Sequence, residues 1–342
     1  MLSSVKRAGA PSTPVAIRPN GRWSPPPSVR RVLGPGRTRR RLVPYLLILP
    51  SAAAIGLLLA WPAIQLAAYS FQDYGLPQVT GAAPTSWVGI GNYQLVLADP
   101  EFWSALRISV LFAVVVVPLT LVVGTLVGLL LNRLGRKMAA FVSTAALLAW
   151  AMPAVSASVI FVWLFDPDGG LADYLLQKLP SWLGGGAHWS QFSWTNAPLP
   201  AYTVITLVVL WQAFPFVAVS VLAGLKTIPA ELHEAARVDG AGPWHAFWHV
   251  TFPHLRGVST ITVLLLVVTS INSFTIPWIM TGGGPAGASH IWITAIYEMA
   301  FGRLRFGAAA AYSVILFLIL MCLGYFYVRA LTCAGNRRSA AE

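Results

Sequence analysis

A chain of 342 residues that is 56% hydrophobic and only 10% charged, with a mean hydropathy of +0.68, is too apolar for a water-soluble globular protein and reads as a multispanning membrane protein. The net charge of +12 does not point to nucleic acid: residues Met1 to Arg41 hold ten Lys and Arg and no acid, which leaves +2 for the rest. The two cysteines, Cys322 and Cys333, lie about 16 Å apart along a helix at 1.5 Å per residue and cannot bridge within it, so they do not reveal the redox compartment.

In chain order, residues 1–41 combine seven prolines, four glycines and the ten basic residues with little apolar content. Such a segment cannot bury enough surface to offset its ordering entropy, so a disordered basic cytoplasmic tail is expected. It sets topology as a charged extension, with attraction to anionic membrane lipids as the alternative role. Arg39-Arg40 before an apolar run matches the start of a twin-arginine export signal, but the run is too long and further spans follow it.

Six apolar runs are long enough to cross a hydrocarbon core of about 30 Å. They lie near Val43 to Tyr69, Ile108 to Leu131, Ala139 to Phe165, Tyr202 to Leu225, Val258 to Met280 and Ala308 to Ala330. A six-span membrane domain is therefore drawn over 42–332, with a C-terminal tail over 333–342. Lys and Arg concentrate in the tail, between Arg133 and Lys137, between Lys226 and Arg256, and at the C-terminus. The positive-inside rule then predicts that both termini and the 226–256 loop are cytoplasmic.

The loop from Lys226 to Pro253 is polar and carries helix start and stop signals. Pro229 suits the first helical position, Asp239-Gly240 stops the helix, Pro243 opens a second one, and Pro253 is expected to end it. Trp244, Phe247 and Trp248 make one aromatic face, for a partner cleft or for the span ends. Upstream, Pro215 interrupts the fourth span as a gating or packing kink. The fifth span carries Asn272 and Ser273 at mid-depth, followed by Trp278, and Asn in hydrocarbon must face a partner or a cavity. Thr281-Gly282-Gly283-Gly284-Pro285 makes an external turn.

Glu234-Ala235-Ala236, Asp239-Gly240-Ala241, Phe247, Val250 and Pro253 stand at spacings that resemble the cytoplasmic EAA loop of ABC-importer permeases. The runs Trp87 to Tyr93, Asp99 to Leu106 and Asn272 to Pro285 resemble further segments of the F-type permease subunit of carbohydrate importers. The resemblance implies an all-α polytopic membrane protein of six transmembrane helices, the type I ABC importer permease fold, in a bacterial cytoplasmic membrane. It implies as partners a second permease subunit, two ATPase subunits and an extracytoplasmic substrate-binding protein. It assigns Glu234, Ala235, Ala236, Asp239, Gly240, Ala241, Phe247 and Pro253 to ATPase coupling. Glu234 would pair with an Arg of the ATPase; by physics alone it is a solvated helix residue beside Arg237.

No G-x-x-x-x-G-K-[ST] occurs, so ATP and Mg are expected on the partner ATPase, with no cofactor or metal on this chain and no enzymatic activity. His245 and His249, with His254 nearby, fall short of the several histidine boxes a membrane metalloenzyme needs. A neutral saccharide is held by hydrogen bonds and aromatic ring faces, which nominates Trp211, Gln212, Asn272, Ser273 and Trp278 along the pathway. Helix packing is the competing role of the polar ones. A glycerophosphodiester or other polyol is the alternative substrate, disfavoured by the lack of Lys or Arg deep in the spans. A secondary transporter or channel is the distant alternative and would carry ion-coupling charges or inverted repeats.

Overall fold

The computed structural model describes residues 47–284, 287 and 289–339. The basic tail over 1–41 and Pro285 lie outside the described residues. The chain divides into two units, 1–59 and 60–342. In the first, the described residues are helical with exposed side chains, and they open helix α1, Leu47–Tyr69, through a π turn at Gly56–Ala60.

Among its described residues, the second unit consists of helices and their connecting loops, with one two-residue antiparallel ladder, β1 Gln72–Asp73 with β2 Ser86–Trp87, in register Gln72 to Trp87. Asn92, at the start of α2 (Gly91–Ala98), fastens this corner by donating from Nδ2 to the Ser70 and Gln72 carbonyls at 3.0 and 2.8 Å. The Asn-Tyr of the Trp87 segment is thus a structural clasp, and Tyr93 adds a hydroxyl contact with Ser70.

Helix α3, Pro100–Arg133, starts where Asp99 caps it by accepting from the Glu101 N–H at 2.9 Å, with Pro100 in the first turn. The Arg303 guanidinium lies across the Asp99 and Glu101 carboxylates. Helix α3 packs along α7, Pro198–Lys226, and the two run parallel. Their approach is close because Gly124 and Gly128 stand one turn apart. A Cβ on Gly128 would meet the Ala218 carbonyl and Val221 Cγ1 at 2.9 Å, and one on Gly124 would collide with Val217.

The expected third span is two helices, α4 Arg136–Ala151 and α5 Ala154–Leu164, bent by 95°. Pro153 has no N–H, and the residue before a proline prefers an extended backbone; Met152 accordingly takes ψ 132°. A short helix, α6 Leu171–Lys178, follows in the segment leading to α7.

Beyond the polar loop helix α8, Ala230–Val238, the chain enters α9, Pro243–Ile271. Pro253 does not end this helix as expected. A π turn over Phe247–Thr251, in which the Phe252 N–H reaches the Phe247 carbonyl, carries the helix past it, and Pro253 falls in the first turn of the regular part that follows. Helix α9 runs antiparallel to α3 and α7, with Leu255 and Val258 against Gly224. It stops at Asn272, and a new helix, α10 Thr275–Thr281, accommodates Pro277 in its first turn, where an N–H would have no partner. Helix α11, Trp292–Tyr297, and α12, Phe306–Ser339, complete the fold. Helix α12 extends to Ser339, past the expected span end at Ala330.

Among the described residues, five helices are long and apolar enough to cross a membrane, and the bent α4–α5 pair makes a sixth when counted as one span. Three apolar clusters hold the second unit: Phe102, Trp292 and Tyr312 near the start of α3, Val116 with Val204 and Val208 midway, and Val217, Val221 and Leu255 toward the α8 end.

Candidate coupling hairpin and pathway residues

Helix α8 begins after Pro229, carries Glu231 in its first turn and Arg237 in its last, and so opposes the helix dipole at both ends. Gly240 at φ +76° then reverses the chain. The Gly240 N–H donates to the Arg237 carbonyl at 3.1 Å and the Ala241 N–H to the Ala236 carbonyl at 2.9 Å, the paired bonds of a Schellman stop. This explains physically why Ala236 and Asp239-Gly240-Ala241 stand at their spacing. The carbonyl of the first receives the amide of the last, and only glycine enters the left-handed region between them without strain.

Pro243 starts α9 directly after this turn, so α8 and the first turns of α9 form a hairpin. Between them lies an open groove of about 770 Å³, lined by Leu232, Ala236, Gly240, Trp244 and His249 among others. Ala235, Asp239 and Ala241 also line it, whereas Glu234, Phe247 and Pro253 lie outside it. Val238 is 87% exposed and Trp244 73%. Trp244 and Trp248 meet edge to face at 5.8 Å, Phe247 lies against Trp248 and Phe252, and the His245 and His249 rings stack at 4.3 Å. Glu234 is exposed and forms no ion pair with any described residue, Arg237 included.

The pathway candidates fall into two places. Gln212 donates from Nε2 to the Met152 carbonyl at 2.8 Å, and the neighbouring Trp211 ring lies 5.5 Å from that of Phe161. Both residues thus serve the α4–α5 elbow. Asn272 is exposed and donates from Nδ2 to the Val268 carbonyl at 2.9 Å, Ser273 follows it in the break after α9, and Trp278 packs between Phe274 and Tyr297. Among the described residues, no hydrogen bond or ring contact joins the two groups. Helix α7 is unbroken through the buried Pro215, whereas the α4–α5 pair is bent at Pro153.

Sequence reasoning passed over three features. Gly124 and Gly128 were visible as a G-x-x-x-G in an apolar run, and Met152-Pro153 as a proline inside a span. The exposure of Val238 had no sequence signal. At the other end of α7 from the hairpin, the half-buried His290 ring packs against Gly283. Burial holds its pKa below the ordinary 6.5, and Arg303 adds to this, against the opposing pull of Glu298 and Glu101.

Residues 120–332 match the family model described as the inner membrane component of binding-protein-dependent transport systems. The chain is 40% identical over 303 residues to the diacetylchitobiose uptake system permease protein DasB of Streptomyces coelicolor, covering 86% of this chain and 90% of that protein. It is 32% identical over 289 residues to the sulfoquinovosyl glycerol transport system permease protein SmoG of Agrobacterium fabrum, covering 84% and 90%. Its fold is similar to a chain of a bacterial ABC transporter involved in the import of the acidic polysaccharide alginate, with a TM-score of 0.70 over 85% of this chain and 96% of that one at 18% identity.

Proposed function

This chain belongs to the family of inner membrane components of binding-protein-dependent transport systems, and from that premise we propose that it is the saccharide-translocating permease subunit of an ATP-driven importer. The observation that carries the proposal is the hairpin: a polar loop that exposes Val238 and Trp244 beside a groove is a protein-docking surface in want of its partner. The partner is an ATPase subunit, and Glu234, exposed and in no ion pair among the described residues, is placed to meet one of its cations.

The excess of Lys and Arg in the N-terminal tail, between Arg133 and Lys137 and at the C-terminus supports cytoplasmic termini and, by the alternation of six spans, a cytoplasmic hairpin. A second permease of similar fold completes the pathway, two ATPase subunits bind the ATP and Mg, and an extracytoplasmic binding protein delivers the substrate. Closure of the ATPases draws the hairpins together and rocks the spans from inward-open to outward-open, and product release reverses the motion. A neutral or weakly charged saccharide fits an interior without deep Lys or Arg, and the names of the two curated relatives favour a short glycoside over a free ion.

Tagged purification of the chain from its native membrane, with partner identification by mass and an ATPase assay, tests this reading. Recovery of an ATPase and a second permease, with saccharide-dependent ATP turnover lost in Glu234→Ala, is the expected result. A chain that purifies alone and transports without any ATPase refutes it.

A further inference from the structure

The segment between α5 and α7 folds around one buried carboxylate. Asp173 Oδ1 accepts from Trp194 Nε1 at 2.7 Å and Oδ2 accepts from the Phe192 N–H at 3.1 Å. Trp194 in turn stacks on Trp189 and meets Phe165 edge-on, within the apolar cluster that holds the start of α7. These contacts fix which way α6 faces. Asp173, with Ala172 and Leu176, points into the fold, and the opposite face points out.

That outward face is apolar. Leu171, Tyr174 and Leu175 are exposed at i, i+3 and i+4, with Lys178 at i+7. The turn that follows also exposes apolar side chains, Leu179 and Trp182, the latter 80% exposed. Lys178, the one charged residue on this face, holds its ammonium 5.6 Å from the Tyr174 ring centroid. An apolar stripe edged by Trp, Tyr and a Lys whose stem lies along it is the composition of a helix seated at a membrane interface.

The neighbouring span leads into it. Helix α5 exposes Val155, Val159 and Trp163 at successive turns, an outward stripe in a membrane-crossing segment, and six residues separate the end of α5 from the start of α6. We propose that the exposed face of α6 and the Trp182 turn lie in the lipid headgroup and acyl boundary of the leaflet remote from the hairpin. There they anchor the α5–α7 segment to the bilayer surface. Lys178 reaches the phosphates, and Asp173 locks the helix so that its apolar side stays down. This anchor does not depend on what is transported.

Site-directed spin labelling tests it. Leu175→Cys and Trp182→Cys would be labelled in the full chain, co-purified with its partners in lipid nanodiscs and with Cys322 and Cys333 replaced by Ser. Gln191→Cys, on an exposed polar position of the same segment, serves as the aqueous reference. Labels at 175 and 182 are expected to collide more often with oxygen than with a water-soluble nickel chelate, the reverse of the label at 191. A chelate-accessible label at both positions overturns the proposal. So does a label open to the chelate in nanodiscs and shielded only when an external binding protein is added, because the face would then belong to a protein partner.

Discussion

The side-chain amide of Gln212 donates to the main-chain carbonyl of Met152, sixty residues earlier, across 2.8 Å. That carbonyl stands at the 95° bend between α4 and α5, where Pro153 has broken the helical ladder. The hydrogen bond therefore satisfies, within an apolar setting, a group that the bend exposes.

Gln212→Leu leaves this carbonyl unpaired and is expected to cost about 1–3 kcal/mol. It should lower the thermal midpoint of the detergent-purified protein. A purely substrate-binding Gln212 would instead lower uptake with an unchanged midpoint, so the two measurements together separate elbow from pathway.

Gly128→Leu is expected to push α3 and α7 apart. Even a Cβ at this position stands 2.9 Å from a main-chain oxygen that cannot rotate away. Overpacking of this kind costs about 1–3 kcal/mol, and loss of the folded chain from membranes, read by fluorescence-detected size exclusion, is the expected outcome. Gly257→Leu, with open space around the glycine, is the matched control and should be tolerated.

Gly240→Val forces a β-branched residue to φ +76° and strains the turn by about 1–3 kcal/mol. Because the hairpin lies at the end of the span bundle, insertion should persist while ATP hydrolysis and uptake become uncoupled. Val238→Asp, which leaves the turn intact and changes only the exposed surface, should weaken ATPase co-purification. Normal coupling in both variants would remove the hairpin from its proposed role.

His290 gives a pH signature. With its pKa held below 6.5 in the folded chain, the unfolded chain takes up the proton first as pH falls. The stability tied to the neutral ring is therefore present above about pH 6.5 and is lost on acidification through the folded pKa. Thermal midpoints measured between pH 5 and pH 8 should fall more on the acid side for the native chain than for His290→Asn.

Sequence pattern revealed the class of fold and most of its helices because a bilayer leaves few options: apolar runs of span length are helices. The α8 helix and its Gly240 stop were equally plain, since capping chemistry is local. What the pattern missed were tertiary solutions to local problems. Pro153 reads in the sequence as a residue inside a span, whereas the helix ends there and Gln212 donates to the freed Met152 carbonyl. Pro253 looked like a stop because nothing in the sequence announces that a π turn will carry a helix past it. Trp211 and Gln212 show the same limit: an aromatic and an amide side chain suit a sugar contact and an elbow support alike, because composition does not tell which neighbour a side chain meets.

The continuity of α9 from Pro243 to Ile271 has a mechanical side. Twenty-nine residues in one helix make a rod of about 43 Å. A tilt of roughly 10° about one end of a rod of that length carries the other end through about 7 Å. The chain places the exposed hairpin surface at one end of this rod and the joint at Asn272, Ser273 and Phe274 at the other. With the pivot at that joint, a displacement of the hairpin end by about 7 Å becomes a rotation of roughly 10° where α9 gives way to α10.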